Sequence, residues 1–141
     1  MLHIKEIKPL FTNLLVTGNM YEEDIMEGNV IVAYKGDLKL YQTVLAVGSM
    51  IRDIKVGDQV MINPDNYKVT KYDSNSVKED LGMNKIVGYN MPWVTMDDSE
   101  GNSQKYLLLK DRDIEFVFVG EEKSEPESSL ILPKPKKIIT S

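Results

Sequence analysis

Gln42-Thr43-Val44-Leu45-Ala46-Val47-Gly48, followed after a short polar step by Lys55-Val56-Gly57-Asp58-Gln59-Val60-Met61-Ile62, is the stretch that decides the fold. Two apolar runs of strand length flank a turn, and a Gly-Asp pair opens the second. Gly57 can take the positive φ of a tight turn, and the Asp58 carboxylate can accept from nearby backbone N–H groups. Residues i and i+2 of a strand share one face of a sheet. Val44, Ala46, Val60 and Ile62 are therefore expected in one core, with Leu107 and Leu109 from a third apolar run.

Outward from this centre the signal stays β. Ile4 to Val16 holds apolar runs around Pro9, which lacks an N–H and suits an edge or a bulge. Gly18 to Leu40 is charged over Tyr21–Gly28 and briefly apolar over Asn29–Tyr34. Residues 64–82 are polar and turn-rich, with one short helical turn expected near Val77. Lys85–Met96 and Gln104–Leu109 read as two strands around the loop Asp97–Ser103, where Gly101 can adopt positive φ. Ile114–Val119 alternates only in part and reads as the closing strand. No internal repeat is visible.

Composition excludes several classes of function. The chain has 141 residues, enough for one domain with a real core. No stretch approaches the ~18 continuous apolar residues of a membrane span. The N-terminus lacks a basic region followed by a long apolar one, so no signal peptide is expected. There is no cysteine, and His3 is the single histidine. Disulfides, thiolate catalysis and Cys-ligated metal are thereby removed, and Ser/His machinery is hard to build. A net charge of −5 disfavours broad phosphate binding. Lys134-Pro135-Lys136-Lys137 is too small a basic cluster to reverse that, so nucleic acid is not an expected partner.

Set beside Ile7-Lys8-Pro9-Leu10 upstream and Tyr106-Leu107-Leu108-Leu109-Lys110-Asp111-Arg112-Asp113-Ile114 downstream, the central run resembles the co-chaperonin (GroES) family. The matches fall in the family's order over about residues 4–119. The resemblance implies an irregular β-barrel with a loop after its first strand. In the family that loop carries an apolar tripeptide behind glycines and docks into a groove on the chaperonin ring. Gly28-Asn29-Val30-Ile31-Val32 stands at that place, with Asn29 where a second glycine is expected. The residues also admit an ordinary buried strand over Val30, Ile31 and Val32, which short β-branched runs favour. In that case Ile31→Asp would damage the fold.

Two departures from the family pattern stand out. Ser49–Ile54 is too short for the hairpin that closes the roof in bacterial members. Asn63–Gln104 is enlarged, and it includes Trp93 beside Met91 and Pro92. Trp93 is either a contact anchor, as Trp is at binding hot spots, or a cover for one end of the barrel. The catalytic domain of zinc alcohol dehydrogenases is similar in its barrel, but its chemistry needs Cys and His ligands and a Gly-rich dinucleotide half. With neither here, no catalytic residue, cofactor or metal is expected. Asp97-Asp98 with Glu100 reads as a solvated turn, a weak calcium site being the alternative.

The C-terminal composition breaks sharply. Glu121–Ser129 is a polar linker that cannot bury enough apolar surface to order itself. Leu130-Ile131-Leu132 and Ile138-Ile139 then flank a basic, proline-stiffened centre. The bland reading is a tail, and the functional one is an arm docked on a neighbouring protein.

The expectation is an all-β chain: a GroES-like irregular β-barrel over residues 1–120 with an extended loop and an added hairpin, then a linker and C-terminal arm over 121–141. Its expected role is non-enzymatic docking on a large protein assembly, with or without homo-oligomer formation and away from membranes. A virus capsid shell is the favoured assembly, which this chain would decorate or join. Val30, Ile31, Val32, Trp93, Leu130, Ile131, Leu132, Ile138 and Ile139 are the expected contacts. The alternative is a co-chaperonin, virus-encoded or not, that caps a chaperonin ring. The viral source is suggested by the Asn-, Lys- and Ile-rich sequence and the rebuilt barrel edges, and it puts the chain in a virion or in host cytoplasm.

Overall fold

The computed structural model describes residues 1–72 and 85–122. It is mostly β-sheet with almost no helix, 46% strand against 7% helical. In chain order the strands are β1 (Asn13–Thr17), β2 (Ile25–Glu27), β3 (Val30–Ala33), β4 (Tyr41–Val47) and β5 (Gln59–Ile62). There follow β6 (Lys68–Tyr72), β7 (Lys85–Tyr89), β8 (Trp93–Asp97), β9 (Ser103–Lys110) and β10 (Ile114–Phe118). The described residues fall into two compact units, one drawn from 1–19 and 40–118, the other from 20–39 with 119–122.

The first unit is built on a six-stranded sheet in the order β10-β5-β4-β1-β9-β8, with every pair antiparallel. β1 lies inside it, paired to β4 on one side and β9 on the other. Leu14, Leu15 and Val16 are all buried, so this strand is covered on both faces at its middle. Of the six side chains expected in the core, Val44, Val60, Ile62, Leu107 and Leu109 are buried. Ala46 is only half-buried. The ladder explains the difference: Leu15 pairs with Ala46 but Val16 pairs with Val44, which leaves Leu45 as the extra residue of a bulge. A bulge shifts the alternation by one residue, so the period that buries Val44 no longer buries Ala46.

The turn into β5 is the one the Gly-Asp pair suggested. Gly57 has φ +95, and Asp58 Oδ2 accepts from the Lys55 N–H at 2.8 Å. Partial alternation in Ile114–Phe118 has the same cause as at Ala46. Ile114 pairs with Ile62 and Phe116 with Met61, so Glu115 is a second bulge residue. This strand does not close the ladder: among the described residues β10 pairs only with β5 and forms one sheet edge. β8 forms the other, where the Asp97 N–H donates to the Ile4 carbonyl at 2.7 Å.

Two expectations along the enlarged segment need correction. Lys85–Met96 is not one strand; it breaks at Asn90-Met91-Pro92 into β7 and β8. Pro92 has no N–H for a ladder, and its carbonyl instead accepts from the Leu108 N–H at 3.1 Å. Residues 68–72, read as turn-rich, form β6, which pairs with β7 from Lys68↔Tyr89 to Tyr72↔Lys85. Val77 and the turn expected there lie outside the described residues.

The β6–β7 pair is tied to the sheet by a buried carboxylate. Asp113 has 0% exposure, so its oxygens need partners from the protein. Asn66 Nδ2 donates to Oδ1 at 2.8 Å, while the Tyr67 hydroxyl and the Lys110 N–H donate to Oδ2. The Asn63 N–H also donates to the Asp113 carbonyl at 2.8 Å. Asn66 and Tyr67 sit in the 3-10 turn Pro64–Tyr67, which Asn63 caps through its side-chain oxygen. That turn leads straight into β6.

Burial first, then the hydrogen bond and charge of Asp113, push the Tyr67 phenol well above its ordinary value of 10.0. A raised value means that the neutral form is favoured by folding. The stabilisation is therefore full below pH 10 and is lost as pH rises above it. Tyr67→Phe should cost about 1.5–3 kcal/mol at neutral pH, the range for a hydrogen bond to a charged group. The gap between variant and wild type should narrow as pH is raised above about 10. Urea titration at two pH values checks both; a gap that does not narrow would contradict the bond's role.

Candidate docking surface

The second unit begins where the chain leaves the sheet, and a buried amide marks the spot. Gln42 on β4 is buried. Its Oε1 accepts from the Thr17 hydroxyl at 2.7 Å and the Asn19 N–H at 2.9 Å, and its Nε2 donates to the Asn19 carbonyl at 2.9 Å. An amide side chain offers one acceptor and one donor group side by side, so it can copy a strand partner for one residue. Thr17 Oγ1 in turn accepts from the Thr43 N–H at 3.0 Å. The end of β1 is thus secured by side chains where its backbone ladder stops.

Residues 20–39 form an irregular two-stranded ribbon. Near its base Met20 bridges Leu38, the Tyr21 N–H donates to the Asp37 carbonyl, and the Gly36 N–H donates to the Tyr21 carbonyl. Carboxylates hold its bends: Asp24 Oδ1 accepts from the Lys35 N–H and Asp37 Oδ2 from the Tyr34 N–H. Lys39 Nζ lies 5.3 Å from the centre of the Tyr21 ring and 2.9 Å from Glu122 Oε1. Toward the tip, β2 and β3 pair as Met26↔Ile31 and Glu27↔Val30, and Ile25↔Ala33 across a bulge at Val32. Gly28, at φ +66, makes the reversal with Asn29.

The tip is apolar and exposed. Val30, Ile31 and Val32 have exposures of 63%, 37% and 54%, and Ile25, Met26 and Tyr34 are exposed beside them. The expectation of a buried barrel strand over Val30–Val32 is therefore corrected. Its β-branched residues do form a strand, but that strand pairs only with β2 among the described residues. Cross-strand partners share a face, so Met26 and Ile31 crown one side, with Ile25, Ala33 and Val30 on the other. A lone ribbon of this kind is marginal in water and has no core of its own.

Trp93 belongs to the sheet unit and lies at the start of β8, opposite Leu107. It is half-buried, and a Cβ placed on Gly18 would overlap its ring at Cζ3. Lys105 Nζ is 5.0 Å from the ring centre. The ring thus packs on a bare backbone at Gly18 and keeps part of its surface in solvent. Leu130, Ile131, Leu132, Ile138 and Ile139 lie outside the described residues.

The acidic loop is accounted for locally. Asp98 Oδ1 accepts from the Glu100 N–H at 2.9 Å and the Asn102 N–H at 2.8 Å, and Gly101 has φ +87. Asp97 Oδ1 accepts from Ser103, and its Oδ2 lies 3.1 Å from His3 Nδ1. Among the described residues no three His, Cys, Asp or Glu side chains are grouped as metal ligands would be. No helix there is long and apolar enough to cross a membrane.

Ile25, Met26 and Tyr34 were missed as part of the apolar surface because charged neighbours dilute them in sequence. A second feature had no sequence signal. Phe11 is held at φ +58 with its ring exposed, next to exposed Leu10. Gly48 lies so close that a Cβ there would collide with the Phe11 carbonyl, and the Met50 N–H donates to that same oxygen at 2.9 Å. The chain matches no protein-family model and no curated sequence.

Trp93 is the single tryptophan, so its fluorescence reports this packing alone. Gly18→Ala is expected to lift the ring off the backbone, shift its emission to longer wavelength and lower the melting temperature. Emission and melting both unchanged would show that the ring does not rest on Gly18.

Proposed function

We propose that this chain is a non-enzymatic docking subunit of a large protein assembly, and that the β2–β3 hairpin makes the contact. The observation that carries this reading is the exposed apolar tip, Ile25, Met26, Val30, Ile31, Val32 and Tyr34, on a ribbon with no core. Contiguous exposed apolar surface marks interaction sites, and each Å² removed from water contributes ~25 cal/mol. A virus capsid shell is the assembly we favour, with the chain as a decorating or joining subunit. The sheet unit then serves as the folded body that carries the hairpin, and the GroES-like barrel is its proposed fold. The Gly57–Asp58 turn and the antiparallel set β5-β4-β1-β9 support that relation.

One observation favours a second reading, a co-chaperonin that caps a chaperonin ring. Val30-Ile31-Val32 directly follows a Gly28-Asn29 reversal and is solvent-facing, as an apolar docking tripeptide has to be. The two readings differ in assembly state. Sedimentation of the purified chain separates a seven-membered ring from a smaller species, and co-sedimentation with a chaperonin ring tests capping directly. The capsid reading expects neither ring nor capping, and expects the chain to co-purify with shells.

Both readings make the same demand on the hairpin. Ile31→Asp places a charge on a surface already in water, so stability should change by less than about 0.5 kcal/mol. Binding to the assembly should fall at least tenfold, since a buried unpaired carboxylate opposes contact by more than about 1.4 kcal/mol. Loss of melting temperature together with retained binding would sink the proposal.

A further inference from the structure

The ribbon's exposed tip has a matching segment in its own chain. Lys39 and Glu122 are joined by a 2.9 Å ion pair at the ribbon's base, so residues 123–141 begin beside it. From Lys39 back to Ile31 is eight residues, and from Glu122 forward to Leu130 is also eight. Each stretch covers at most about 26–29 Å. β3 runs toward Lys39. The turn closed by the Asp37 N–H on the Tyr34 carbonyl shortens the ribbon side, so an extended run from Glu122 has ample length to bring Leu130-Ile131-Leu132 to Val30-Ile31-Val32.

Charge agrees with this placement. Residues 20–39 carry Glu22, Glu23, Asp24, Glu27 and Asp37 against Lys35 and Lys39, while 130–141 carry three lysines and no acid. Glu22, Glu23, Asp24 and Glu27 are all exposed along the outer limb of the ribbon. We propose that Leu130–Ser141 covers the β2–β3 hairpin of the same chain. Leu130-Ile131-Leu132 lies against Val30-Ile31-Val32, and Lys134, Lys136 and Lys137 lie toward the acidic limb. The occupant is the chain's own segment rather than a second copy's because a linker this short holds it at an effective concentration on the order of millimolar. The inference rests on the hairpin as the docking surface and names this chain's own segment as its occupant.

Because the chain has no cysteine, an introduced pair is unambiguous. The full chain carrying Ile31→Cys and Leu130→Cys is oxidised at low concentration and read by non-reducing electrophoresis and mass. The control is Arg52→Cys with Leu130→Cys, Arg52 being exposed in the sheet unit. A monomeric disulfide several-fold above the control is expected, reduced when Lys134→Glu, Lys136→Glu and Lys137→Glu are added together. Yields equal to the control would overturn the inference, and so would disulfide dimers alone, which assign the segment to a second copy. Hydrogen exchange gives a reading free of cysteine: Leu130→Asp with Leu132→Asp should speed exchange of the amides at 25–33, and unchanged exchange would overturn it. A chain that crosslinks internally but docks on nothing loses only the docking reading. One that docks through Ile31 without the crosslink loses only the self-covering.

Discussion

The burial of β1 is the constraint on which the sheet unit depends. Leu14, Leu15 and Val16 are three consecutive buried residues on a strand flanked by β4 and β9. A strand alternates its side chains, so consecutive burial requires cover on both faces. Val44 opposite Val16, and Leu107 and Leu109 on the other flank, are the neighbours that burial calls for. The bulge at Leu45 follows from fitting β4 along this strand while the turn at Gly48 packs against the backbone of residues 10–13. Gly48 leaves no room there for a side chain, so backbone meets backbone and the turn is fixed.

Where strands stop, polar side chains take over their hydrogen bonds. Gln42 gives Asn19 both a donor and an acceptor at the end of β1, and Asp113 accepts from Asn66, Tyr67 and Lys110 at the entry to β6. Both are buried, and buried polar groups left without partners are costly. Each anchor therefore fixes the point at which a two-stranded excursion leaves its neighbours. One excursion is the β2–β3 ribbon and the other is β6–β7.

The ribbon differs from the sheet in what its apolar residues do. In the sheet, β-branched residues meet other strands and leave water. In the ribbon the same residue types pair across two strands and remain in solvent on both faces. Such an element gains little from its own burial, which is why we propose it as the docking surface. In the proposed contact the acidic limb beside the apolar tip adds a sign to the shape, because a basic, apolar segment is favoured and an acidic one is opposed.

The sequence alone determined the all-β class, the Gly57–Asp58 turn and five of the six core side chains, because period-2 alternation and turn chemistry are local. It also singled out Val30, Ile31 and Val32 as a short β-branched run. Only tertiary structure decided that they are exposed, since burial depends on how many strands β3 finds, and among the described residues it finds β2 alone. The bulges at Leu45 and Glu115 were hidden for a related reason: register is a property of a pair of strands, and neither strand carries it by itself. The buried role of Asp113 was likewise invisible within Lys110-Asp111-Arg112-Asp113, because the donors that satisfy it include Asn66 and Tyr67, more than forty residues away.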